Sequence, residues 1–98
     1  MSAYVVAQLS INDRTRYDRY AAAFLPTLKP FGGRLLAADE GPQVMEGAWA
    51  RDKLVLVAFP DQGAARAWAA SPDYHAIAAD RLAASEAVVL LVEGFGAS

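Results

Sequence analysis

Few side chains in this sequence have the chemistry to act on another molecule. His75 is the only histidine. Its ordinary pKa of about 6.5 suits a general base, but one histidine cannot supply a two-His metal site within one chain. Its surroundings favour a plainer role. Tyr74, Ile77, Ala78 and Arg81 fall on one helix face, and His75 lies about 100° off it. A partly exposed helix histidine is the simpler assignment. Ser71 stands before Pro72 and Asp73, the pattern of a helix start rather than of a nucleophile. With no Cys, thiol catalysis, disulfides and Cys-ligated metal are removed. There is no G-x-G-x-x-G and no phosphate-binding loop. Glu86 and Glu93 read as strand-edge acids, with no support for a carboxylate pair.

Arg81 and the aromatics carry more. Arg81 lies seven residues after Tyr74 on the same apolar stripe. An inward guanidinium must be paired or face a pocket. The plainer expectation is an ion pair with Glu46, Glu40 or Asp39, fixing a helix on the sheet. The functional one is a clamp for a ligand carboxylate. Tyr17, Tyr20, Phe24, Trp68 and Tyr74 fall on stripes that face the sheet, which makes them core first. Buried hydroxyls and indole N–H groups need partners, however. A cluster of them beside Arg81 would line a pocket for a small aromatic or hydrophobic acid. Arg34 follows Gly32–Gly33, which let the chain turn sharply into a strand, and its face is open. The candidate binding set is Tyr20, Arg34, Trp68, Tyr74 and Arg81. His75 and Arg81 are the candidates for catalysis. Neither a metal nor a cofactor is implied.

These residues need a frame. Tyr4–Ile11 alternates as a strand: Val5, Ala7, Leu9 and Ile11 on one face, Tyr4, Val6, Gln8 and Ser10 on the other. Asn12 and Asp13 can start a helix. In it Tyr17, Tyr20, Ala21, Phe24 and Leu28 form one stripe, with Arg14, Arg16, Asp18 and Arg19 opposite. Pro26 should kink or loosen it, and Pro30 with Gly32–Gly33 should end it. Arg34–Ala38 is a short strand, and Gln43–Glu46 is expected to resume it after the turn-rich Asp39–Pro42. Leu54–Phe59 is the clearest strand. Asp61 can cap a helix carrying Ala65, Trp68 and Ala69 inward, interrupted at Ser71–Pro72. It restarts with Tyr74, Ile77, Ala78, Arg81 and Leu82 on one face. Ala87–Glu93 is the last strand. The order β-α-β-β-α-β is the split βαβ of an α+β, ferredoxin-like sandwich: one domain over residues 1–98, four antiparallel strands, two helices on one face.

Composition fixes the rest. Hydrophobic residues make up 55% and charged residues 20%, which excludes a disordered chain. Net charge is −2 and the pI about 5.2, so no nucleic-acid surface is implied. The opening apolar stretch Ala3–Ala7 is too short for a secretory core, and no run approaches a bilayer span. A soluble cytoplasmic protein, off the membrane, is expected. Leu54–Phe59 and Val88–Val92 are apolar on both faces, where a half-wet strand would alternate. Two helices cover one face of a four-stranded sheet. The other is an apolar patch larger than soluble monomers show, and its simplest cover is a second copy. A homodimer through the sheet face follows.

One ordered set of residues resembles a known family. Tyr17–Tyr20, Gly32–Gly33–Arg34, Glu46–Gly47 with Trp49, Phe59–Pro60, Ala65–Arg66–Ala67–Trp68, Ser71–Pro72–Asp73–Tyr74, Arg81 and Val92–Glu93–Gly94 are similar to domain of unknown function 1330 across almost the whole chain. His75 departs from the Gln often found after that Tyr. The resemblance implies the dimeric α/β-barrel superfamily, whose members include cofactor-free monooxygenases, lactone isomerases and haem-using relatives, with sites in the helix–sheet cleft. Two functions are therefore carried forward. One is a cofactor-independent enzyme, monooxygenase- or isomerase-like, acting on a small hydrophobic or aromatic compound. The other is a non-catalytic module that binds a small hydrophobic or anionic ligand. A protein whose dimer is its only property is the third and plainest reading.

Overall fold

The computed structural model describes residues 2–95. Four strands, β1 (Ala3–Ile11), β2 (Arg34–Asp39), β3 (Lys53–Phe59) and β4 (Ser85–Glu93), form one antiparallel sheet in the order β2-β3-β1-β4. Helices α1 (Arg14–Leu28), α2 (Gln62–Ala69) and α3 (Pro72–Ala84) lie against one face. This is the expected ferredoxin-like α+β arrangement with three helices in place of two. The division falls at Ser71–Pro72. Pro72 brings no N–H, while Ser71 Oγ accepts from the Tyr74 N–H at 3.2 Å and donates to the Trp68 carbonyl at 2.7 Å. The chain thus ends one helix and caps the next at one residue. Asp13 and Asp61 cap the other two, accepting from the N–H groups of Arg16 and Ala64. Among the described residues no helix is long and apolar enough to cross a membrane.

Some expectations need correction. Gln43–Glu46 does not resume a strand. Pro42 offers no ladder donor, Gly47 turns the chain at φ 88°, and side chains tie the later part of the connection to β1. The Trp49 indole N–H donates to Gln8 Oε1 at 3.1 Å, and Asp52 accepts from the Ile11 N–H at 2.8 Å. Helix α1 continues through Pro26 to Leu28 before a 3-10 turn, Lys29–Phe31. Ala69 is exposed and Leu82 is 67% exposed. Each lies about 100° from one residue of its group, Trp68 or Arg81, and only about 40° from another, Ala65 or Ala78, so they fall at the edge of the inward stripe.

Register assigns the two faces, since directly paired residues point the same way. Val5 pairs with Val57 and Leu91, Ala7 with Val55 and Val89, and Leu9 with Lys53 and Ala87. Val5, Leu9 and Val57 join the helix-covered core, so this set is the helix face. The opposite face aligns Tyr4, Val6 and Gln8 with Ala58, Leu56 and Leu54 and with Val92, Leu90 and Val88. In the single chain Val88, Leu90 and Val92 remain 39–44% exposed.

The turn into β2 is sterically tight. Gly32 holds φ 68°, and a Cβ on Gly33 would meet Phe59 Cε1 at 2.8 Å and the Leu28 side chain at 3.1 Å. Gly33→Ala is expected to lower stability by about 1–3 kcal/mol. Gly41→Ala, with nothing within 4 Å of the added carbon, should stay within about 0.5 kcal/mol of the parent. Urea unfolding of the two variants checks this, and equal midpoints would contradict it.

Candidate functional site

The apolar faces of α1 and α3 meet the sheet unevenly. Helix α1 presents Tyr17, Tyr20 and Phe24, and the α2–α3 pair presents Trp68 and Tyr74, all buried. Under them the strands offer Ala7, Ala38, Val55 and Val89. Large rings on one layer meet small side chains on the other, and a cavity of about 230 Å³ is left between them. It reaches the exposed Leu25 and Leu35 at the β2 edge.

Its aromatic wall is continuous. Trp68 stands 4.2 Å from Tyr74 and 5.9 Å from Phe24, centroid to centroid, and is backed at 5.3 Å by Phe59 of β3, which lies outside the lining. Tyr20 meets Tyr74 edge-on at 6.2 Å. Edge and tilted contacts of this kind add to burial. The indole N–H of Trp68 is spent on Thr27 Oγ1 at 3.1 Å, and that hydroxyl donates to the Phe24 carbonyl. Trp68 therefore offers the cavity only its ring.

The hydroxyls are different. Tyr20 Oη and Tyr74 Oη share one hydrogen bond at 3.0 Å, and Arg81 Nε donates to Tyr74 Oη at 3.3 Å. Two phenolic protons are available and one bond uses one of them. Whichever tyrosine donates, the other O–H finds no acceptor among the described residues. Burial, with Tyr74 close by, pushes the Tyr20 phenol well above its ordinary range, and burial raises Tyr17 also. Both stay protonated at neutral pH, as donors rather than bases.

Arg81 makes no ion pair among the described residues, which corrects the expected Arg–carboxylate contact. Glu40 is gripped by Arg14 through two bonds of 2.5 and 2.7 Å, a fork that holds its carboxyl below the usual range. Asp39 accepts from the Gly41 N–H, and Glu46 is exposed in the β2–β3 connection. Asp80 takes Arg16 and Arg19 and ties α1 to α3. Among the described residues no carboxylate lines the cavity, whereas Arg81 and Lys53 both do.

Of the sequence candidates, Tyr20, Trp68, Tyr74 and Arg81 come together here. Arg34 does not line the cavity. It is exposed at the start of β2, paired with Ala58 on the opposite face. His75 is exposed on α3 and lies outside the lining too. Sequence reasoning missed Lys53 and gave Tyr17 no role beyond the core. Stepping back by twos from Phe59 through Val57 and Val55 reaches Lys53, so the strand's own period contained that signal. Among the described residues no three His, Asp or Glu side chains gather as a metal would require.

The family model described as "Domain of unknown function (DUF1330)" matches residues 2–95. No curated protein matches the chain in sequence. Solved structures are similar in fold at low identity. RPA0582, a protein of unknown function from Rhodopseudomonas palustris, superposes with a TM-score of 0.81 at 13% identity, over 98% of this chain and 84% of its own. A dimeric ferredoxin-like protein of unknown function from Jannaschia sp. CCS1 gives 0.70 at 16%, over 96% and 100%. SnoaB, a cofactor-independent oxygenase from Streptomyces nogalater, gives 0.68 at 13%, over 98% and 95%.

The raised phenols carry a pH signature. In the unfolded chain tyrosine ionises near its ordinary value of 10.0, whereas folded Tyr20 stays protonated above it. The unfolded state thus binds fewer protons in that window. Stability contributed by Tyr20 is fully present below pH of about 10 and is lost as pH rises beyond it. Denaturant melts at stepped alkaline pH should show this fall, and Tyr20→Phe should flatten it. An unchanged slope in the variant would contradict the assignment.

Proposed function

The chain belongs to the DUF1330 family, and we propose that it is a homodimeric, cofactor-independent enzyme, monooxygenase- or isomerase-like, acting on a small hydrophobic or aromatic carbonyl compound or acid in the helix–sheet cavity. One observation carries this reading. A guanidinium stands in an apolar cavity beside a hydroxyl pair with a spare proton, and no carboxylate neutralises it.

Such donors fit a carbonyl or carboxylate oxygen. Arg81 and the free phenolic O–H can hold it while Trp68 and Phe24 pack its apolar body. Negative charge grows on that oxygen when a neighbouring C–H passes its proton to water admitted at the open β2 edge of the cavity. Fixed donors in a low-dielectric site favour that charge. Enolisation of this kind is the step that isomerisation and oxygen addition share. The likeness to SnoaB supports the enzymatic reading at the level of fold. The exposed, apolar second face of the sheet supports the homodimer, as does the dimeric neighbour. Covering it would bury on the order of 800 Å² per partner, which suffices for stable association.

A second reading has its own observation. Among the described residues no His, Asp or Glu lines the cavity, so the protein itself offers no strong base for the proton that turnover would release. That favours a module which binds a small hydrophobic acid without converting it.

Binding of benzoate and hexanoate, followed by calorimetry, tests what both readings share. The parent should bind them. Arg81→Met should weaken binding at least about tenfold, as expected when a charged, partly desolvated pair is lost, with the thermal midpoint little changed. Equal affinity in the variant would remove the site. Consumption of carbonyl substrates by the parent, lost in Arg81→Met, would select the enzyme over the module.

A further inference from the structure

The cavity holds a second cation that the proposed function leaves unused. Lys53 opens β3 and pairs with Leu9 on the helix face. Its ammonium stands 4.9 Å from the centroid of the Tyr17 ring. Beyond that ring it makes no hydrogen bond or ion pair among the described residues. The acids on this side are otherwise engaged. Arg14 holds Glu40 by a two-bond fork and also pairs with Asp18 at 3.0 Å, and Asp52 accepts from the Ile11 N–H. Glu40 feels Lys53 only as the weakest of its influences. The Tyr17 hydroxyl likewise has no hydrogen-bond partner among the described residues.

Both cations line the same apolar cavity and both are half-buried, where a charge interacts more strongly with an anion than it does in bulk water. An anion at each relieves both and gains a charge-assisted hydrogen bond at each end. One carboxylate at Arg81 would leave the ammonium uncompensated. We propose that the ligand class is a small dicarboxylate with an apolar body. One carboxylate meets Arg81 and the Tyr20–Tyr74 hydroxyl pair, the other meets Lys53 where it stands over the Tyr17 ring, and the hydrocarbon between them packs on Trp68. Lys53 is then the residue that selects two-ended over one-ended acids. The inference rests on the cavity being the ligand site of the proposed function.

Calorimetry with two matched series tests it: succinate, glutarate, adipate, pimelate and suberate against butyrate through octanoate, with the three phthalate isomers against benzoate. The parent should bind its best diacid at least about tenfold more tightly than the monoacid of equal length. Lys53→Met and Lys53→Gln should abolish that preference, whereas Lys53→Arg should keep it. Should the Met variant fail to fold, the Gln variant and the parent series still decide. Monoacid binding that depends on Arg81 with no gain for any diacid would overturn the dicarboxylate class and leave the proposed function standing. A preference that survives Lys53→Gln would overturn the role of Lys53. Failure of every acid to bind the parent would remove both.

Discussion

Everything in this structure follows from a sheet that is apolar on both sides. β3 and the middle of β4 carry hydrophobic residues at successive positions, so neither face is suited to water. Three short helices reach only one face. Val6, Leu56 and Leu90 stand in register on the other, and burying such a surface is the main favourable term available to a chain of this size. The β2–β3 connection covers one end through Trp49 and Gln8, which leaves the β1–β4 region open. A second sheet with the same pattern would be a self-complementary cover of the kind two-fold symmetry supplies.

The covered face has a different problem, one of shape. The helices bring tyrosine, phenylalanine and tryptophan, while the strands below bring chiefly alanine and valine, with Leu9, Leu35 and Lys53. Tilted and edge-on ring contacts hold the helices in place, and the Arg16–Asp80–Arg19 cluster locks α1 to α3 at the surface. The layer cannot sink onto the small residues, and the space that remains is large for a domain of this size, since interiors are otherwise closely packed. Its chemistry is one-sided. Surface acids are drawn off by surface arginines, so the two cations that reach the cavity meet phenols and hydrocarbon instead of carboxylates. Packing made the space, and the way ion pairs are shared outside it set the charge within.

Much of this was legible from residues alone. The strand alternation in Tyr4–Ile11, the caps at Asp13, Asp61 and Ser71, and the stripe Tyr17–Tyr20–Phe24–Leu28 fixed the element order and the inward residues. Tyr20, Trp68, Tyr74 and Arg81 could be placed on one side because helix period is local. What was not legible depends on distance across the fold. Whether Glu40 serves Arg14 or Arg81 is a competition that spacing cannot decide. The face of Arg34 turned on the register of β2 against β3, which a bulge near Leu36 shifts. Gln43–Glu46 reads as strand resuming after the Asp39–Pro42 turn, because a segment this short shows its pairing partner, or the lack of one, only in the fold.

The account stands most directly on the state of the protein in solution, which sedimentation equilibrium reads across the micromolar range. It predicts twice the subunit mass of 10.4 kDa for the parent, and a single subunit for Leu90→Lys, whose charge would sit in the middle of the paired sheets. A parent that sediments as one subunit throughout, with Leu90→Lys indistinguishable from it, would contradict the premise that the sheet's second face must be covered.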